Sequence, residues 1–122
     1  MVDQLTGLKN RRAFFDDAEP SISASRRRGQ PVTVAVIDLD HFKSINDTHG
    51  HAVGDAVLKE AARRISDSSR EEHIVGRFGG EEFVMLLPFT TAQQALYAIE
   101  RVRKEMSREP IAVGEGRSLT LT

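Results

Sequence analysis

Cysteine is absent from the 122 residues. That excludes disulfide frameworks, thiolate zinc sites and cysteine nucleophiles together, and it fits a reducing compartment. An excess of charge is absent too. Seventeen Lys and Arg stand against eighteen Asp and Glu, a formal charge of −1, so the balance does not point to a DNA or RNA binder. Long hydrophobic runs are also missing. The stretch Phe83 to Leu87, with Pro88-Phe89 after it, is far too short to span a bilayer. Met1-Val2-Asp3-Gln4 lacks both the basic start and the apolar stretch of a signal peptide. The segment is expected to be cytoplasmic and to make no membrane contact, even if other domains of a parent protein are anchored. There is no internal repeat and no low-complexity stretch.

What is present is 39% hydrophobic and 29% charged, the composition of one domain around one core. Asn10 is placed to cap a helix through Phe14 and Phe15. Pro20 should end or kink that helix, or open a second one running to Arg28; Arg26 to Arg28 then fall in a last turn closed by Gly29. Val32 to Ile37 is a β-branched run that reads as a buried strand. Beyond a polar loop, Val53, Val57, Leu58, Ala61, Ala62 and Ile65 fall on one face of a helix. Strands are expected over His73–Phe78 and Phe83–Leu87, joined by a Gly-Gly turn whose tightness calls for positive φ. Thr90 or Thr91 can cap a helix whose apolar face is Ala92, Ala95, Leu96, Ile99, Val102 and Met106. Short strands follow, opening at Pro110 and, beyond Gly114-Glu115-Gly116, at Ser118. The hairpin forces an antiparallel pair. The fold class is therefore α/β in the α+β sense: a mixed, largely antiparallel central sheet with packed helices.

Two acidic pairs carry the chemistry. Asp38 and Asp40 are one residue apart at a strand's end and share a face if the chain stays extended. Paired carboxylates suit Mg²⁺, although the pair alone reads more simply as a polar turn. Glu81 and Glu82 sit directly after two glycines, where they repel each other and a divalent cation would relieve them. An exposed hairpin tip is the simpler alternative. His49-Gly50-His51 suggests an imidazole metal site, but magnesium prefers oxygen, and a turn role suits His49 better.

The whole order is more specific than its parts. A strand leads to Asp38-Leu39-Asp40, then Phe42-Lys43, Ile45-Asn46-Asp47, Gly50-His51, Gly54-Asp55, a helix, and Gly79-Gly80-Glu81-Glu82-Phe83. With Asp3-Gln4-Leu5-Thr6-Gly7-Leu8-Lys9-Asn10-Arg11-Arg12, it resembles the GGDEF domain family, the diguanylate cyclases, in the GGEEF variant, from Asp3 to the last residue.

The resemblance implies a fold like the palm of nucleotidyl cyclases and polymerases. It implies an enzyme that joins two GTP into cyclic di-GMP with Mg²⁺ or Mn²⁺, as a homodimer with one GTP per domain, downstream of a sensor or receiver domain. The alternative is a catalytically impaired module that binds nucleotide or dimerises. Asp38 and Glu81 would hold metal through carboxylates and Leu39 through its carbonyl. Asn46, His51 and Asp55 would surround base and sugar, with Asn46 and Asp55 reading guanine. Backbone groups near His41 and Phe42, with the Lys43 side chain, would face the substrate's phosphates, and Gly80 would let the substrate approach the backbone closely. Glu81 or Glu82 would take the 3′-hydroxyl proton.

Two departures stand out. The family's Arg-x-x-Asp inhibitory site is Arg70-Glu71-Glu72-His73 here, so its arginine remains, with Arg101 as a second, but its carboxylate does not; feedback inhibition is expected to be weak or absent. The family's last strand and phosphate-gripping helix are not in residues 1–122, so the single domain is expected to be shortened.

Overall fold

Asn10 starts the first helix as its sequence position suggests: its side-chain oxygen accepts the Ala13 N–H at 2.8 Å. The computed structural model describes residues 1–112 and 118–119. In chain order these form α1 (Arg11–Arg27), β1 (Val32–Asp38), α2 (Phe42–His49), α3 (His51–Ser68), β2 (Ile74–Arg77), β3 (Glu82–Pro88), α4 (Ala92–Arg108), β4 (Ile111–Ala112) and β5 (Ser118–Leu119). Pro20 does not end α1 but lies inside it. Its missing N–H leaves the Asp16 carbonyl without its usual helical donor, and packing of Phe14, Ala18 and Ser25 carries the helix on.

The main sheet has the order β1-β3-β2, with both pairings antiparallel. β3 is buried on both faces because its alternating side chains enter two layers. Phe83, Met85 and Leu87 pack with α3 and α4 residues such as Val57, Ile65 and Val102. Val84 and Leu86 pack with Phe14 and Ala18 of α1. The sheet thus lies between α1 on one side and the α3–α4 pair on the other.

Three expectations need correction. β1 is not a buried strand: Val34 and Val36 are 52% and 64% exposed, because β1 is at the sheet edge and α1 packs over β2 and β3 instead. Leu96 is 64% exposed, since the buried stripe of α4 runs through Ala95, Val102 and Met106 and is narrower than the full apolar face. The polar loop after Asp40 is a helix, α2, anchored by the single buried side chain of Phe42. Its polarity concealed it.

α4 carries the capping box its sequence allows: Thr91 accepts the Gln94 N–H at 3.1 Å, and Gln94 accepts the Thr91 N–H at 2.9 Å. β4 and β5 form an antiparallel pair. The expected strand residues Val113 and Thr120 to Thr122, and the Gly114–Gly116 turn, lie outside the described residues.

Candidate active site

The two acidic motifs meet at one end of the sheet. Antiparallel register sets Asp38, the last residue of β1, directly opposite Glu82, the first of β3, so their side chains leave the same face. One residue further, the Leu39 N–H donates to the Glu81 carbonyl at 3.4 Å. Leu39 turns its side chain into the core, which pins its backbone beside the carboxylates. Among the described residues, none of Asp38, Glu81 and Glu82 is ion-paired with a Lys or Arg. Asp40 is exposed in the turn that follows.

These donors fit a divalent hard cation: carboxylate and carbonyl oxygens, uncompensated by local positive charge. Among the described residues no three His, Asp or Glu side chains converge into an all-protein cage. Magnesium takes one or two carboxylates and completes its shell with water and substrate phosphate. His49 closes α2, and exposed His51 opens α3.

His41 joins the acidic turn to α2 with φ of 60°, a left-handed conformation. Such a conformation is uncommon for a residue with a side chain. No side chain caps the start of α2. The first-turn N–H groups of Phe42 and Lys43 are helical orphans of the kind that bind phosphate, and Lys43 is exposed beside them.

Gly50, at φ of 90°, breaks α2 from α3 and folds the two helices together. This brings Asn46 of α2 against Gly54 of α3, next to exposed Asp55. The Asn46 side-chain oxygen is buried with no hydrogen-bond partner.

The β2–β3 hairpin forms as expected, but its glycines do not have positive φ. A Cβ on Gly80 would meet nothing within 4 Å, so the folded chain itself does not require glycine there. The turn is held from outside by Arg77. Its Nε donates to the Gly79 and Gly80 carbonyls at 3.2 and 3.3 Å and its Nη2 to Gly80 at 3.0 Å, while Nη1 donates to both Asp3 carboxylate oxygens at 3.1 Å. Arg77 does not stand out in sequence, and Gly54 is legible only as part of the Gly54-Asp55 motif, without its packing reason. The available signals were a lone arginine closing a short apolar strand and a glycine inside an amphipathic helix, where it costs about 1 kcal/mol.

Arg70 and Arg101 lie away from this end. They line an open cleft of about 330 Å³ with Glu72, His73 and Tyr97. His73 Nδ1 accepts the Arg70 N–H at 3.1 Å, and Arg101 donates to the Ser68 carbonyl at 3.2 Å. Burial holds the His73 imidazole below its ordinary pKa; Glu72 opposes this, and Arg70 and Arg101 reinforce it.

The structure is an α+β domain whose two acidic motifs meet at one end of an antiparallel sheet. The chain belongs to the GGDEF domain family: the family model "Diguanylate cyclase, GGDEF domain" matches residues 1–122. It is 42% identical over 119 residues to the response regulator PleD of Caulobacter vibrioides, covering 98% of this chain and 26% of PleD. It is likewise 42% identical over 120 residues to the cyclic di-GMP phosphodiesterase NbdA of Pseudomonas aeruginosa, covering 98% of this chain and 15% of NbdA. Among solved structures, diguanylate cyclase SiaD of Pseudomonas aeruginosa, in complex with its activator SiaC, superposes with a TM-score of 0.93 at 43% identity, over 99% of this chain and 46% of that one. The chain therefore spans 26% and 15% of the length of these two curated relatives. Among the described residues no helix is long and apolar enough to cross a membrane.

Proposed function

We propose that this chain is the catalytic domain of a diguanylate cyclase, condensing two GTP into cyclic di-GMP and two pyrophosphates. The observation that carries the reading is the junction of Asp38-Leu39 with Glu81 and Glu82 at one end of the sheet, where among the described residues none of the three carboxylates is ion-paired. Asp38 and Glu81 would hold Mg²⁺ or Mn²⁺ through their carboxylates and Leu39 through its carbonyl. Bound there, the ion would neutralise phosphate charge and acidify the attacking hydroxyl.

The protein's own groups supply the rest. The uncapped start of α2 and the Lys43 ammonium bind phosphate oxygens, and the open surface of Gly80 lets the nucleotide approach the backbone. Asn46 and Asp55 read the guanine edge, Asp55 accepting from its N–H donors, with His51 beside the sugar. The 3′-oxygen of one GTP forms a bond to the α-phosphorus of the other. The α–β phosphoanhydride bond breaks, pyrophosphate leaves with the bonding electrons, and Glu82 accepts the hydroxyl proton. Repeating the step with the roles exchanged closes the ring. Two domains must therefore face each other, and a sensor or receiver domain elsewhere in the parent protein would control that encounter.

A second reading, a module that binds nucleotide without turnover, draws support from NbdA, a relative named for a phosphodiesterase. Incubation of the protein with GTP and Mg²⁺ separates the two. The enzyme yields one cyclic di-GMP per two pyrophosphates at a rate rising faster than linearly with protein concentration. GTP binding without that product supports the module instead.

A further inference from the structure

We infer that Gly54 is a specificity-determining positioning residue: the space left by its absent side chain seats the Asn46 amide, and that seat sets how well the site distinguishes guanine from adenine. The inference rests on the guanine-reading role proposed for Asn46. An ideal Cβ at Gly54 would lie 1.8 Å from Asn46 Oδ1 and 2.9 Å from its Cγ, and 3.4 Å from the Phe42 ring. The first two separations are impossible, so no residue but glycine permits this placement of Asn46. Backbone conformation does not explain the glycine, because Gly54 lies within α3 and its φ is not positive. Alanine would favour the helix there.

The amide cannot escape by moving its backbone. The Asn46 carbonyl accepts the Gly50 N–H at 2.8 Å, and the Gly54 N–H donates to the Gly50 carbonyl at 3.1 Å, which locks the two helices around their junction. A side chain at position 54 must therefore drive Asn46 into another rotamer. The oxygen in the seat is buried and unpartnered, and whichever way the amide is turned, one of its polar atoms occupies that place. Burying such a group is unfavourable unless a ligand or water completes it. Gly54 immediately precedes Asp55, the second proposed guanine reader, so one turn of α3 fixes both.

The test is binding of the α,β-methylene analogues of GTP and ATP, in which the bond to be broken is replaced. Wild type is expected to favour the guanine analogue at least tenfold. Gly54→Ala should reduce that ratio by about tenfold, through weaker guanine binding, with the adenine analogue little changed. Asn46→Ala should reduce it similarly, and adding Gly54→Ala to Asn46→Ala should cost nothing further, because the displaced amide is already gone. If Gly54→Ala loosens the fold, the double variant should recover the melting temperature for the same reason. A wild-type ratio retained in Gly54→Ala, or a further loss in the double variant, overturns the inference. Equal binding of both analogues by wild type overturns the guanine reading itself.

Discussion

One guanidinium connects Asp3 to the motif hairpin: Arg77 Nη1 lies 3.1 Å from both Asp3 carboxylate oxygens while its other nitrogens hold the Gly79 and Gly80 carbonyls. The opening turn of the chain is therefore part of the frame that positions Glu81. Arg77→Gln should destabilise the domain by about 2 kcal/mol, since it removes a partly buried charge from a bidentate pair. It should also weaken Mn²⁺ binding at the sheet end. Thermal melts and a Mn²⁺ titration check the two effects separately.

Asp3 makes that contact pH-dependent. Burial pushes its carboxyl up, but the hydrogen bonds from the Thr6 hydroxyl and N–H and from Arg77 outweigh burial and hold it below the ordinary aspartate value. A folded pKa below the unfolded one contributes stability above the unfolded value, about 3.9, that is lost as pH falls through the folded value. Stability measured between pH 5 and pH 2 should decline less steeply in Asp3→Asn than in wild type.

Burial first, with Arg70 and Arg101, lowers the His73 pKa against the opposing Glu72, and its Nδ1 is already an acceptor for the Arg70 N–H. The imidazole offers no negative charge to a guanine donor edge. Cyclic di-GMP should bind the Arg70–Arg101 cleft weakly, and His73→Asp should tighten binding about tenfold or more, the worth of one charged hydrogen bond. Calorimetry on both proteins, with Arg70→Ala as control, decides this.

Gly80→Ala separates folding from function. Its Cβ meets nothing within 4 Å and its φ is not positive, so stability should change by no more than about 0.5 kcal/mol. GTP binding should weaken at least tenfold, because the methyl group would stand where the nucleotide is proposed to approach. Unchanged GTP affinity would place the nucleotide elsewhere.

Short-range chemistry was readable in the sequence. The Asn10 cap, the buried face of α3 from Val57 to Ile65 and the antiparallel hairpin before Phe83 each depend on neighbours within a few residues. What escaped depends on partners remote in sequence. The exposure of Val34 and Val36 follows from where α1 lies, which no periodicity in β1 reveals. The acidic end was legible as residue types, but its pairing of Asp38 with Glu82 is a matter of register. Gly54 stood in the motif order as Gly54-Asp55, but its packing reason is a side chain on a different helix, which the sequence does not display.

The most direct measurement is cyclic di-GMP formation by wild type and Glu81→Ala, each with GTP and Mg²⁺ at equal folded concentration. The account predicts product from wild type and at least a hundredfold less from Glu81→Ala, with melting temperatures alike. No cyclic di-GMP from wild type, or undiminished turnover in Glu81→Ala, contradicts it.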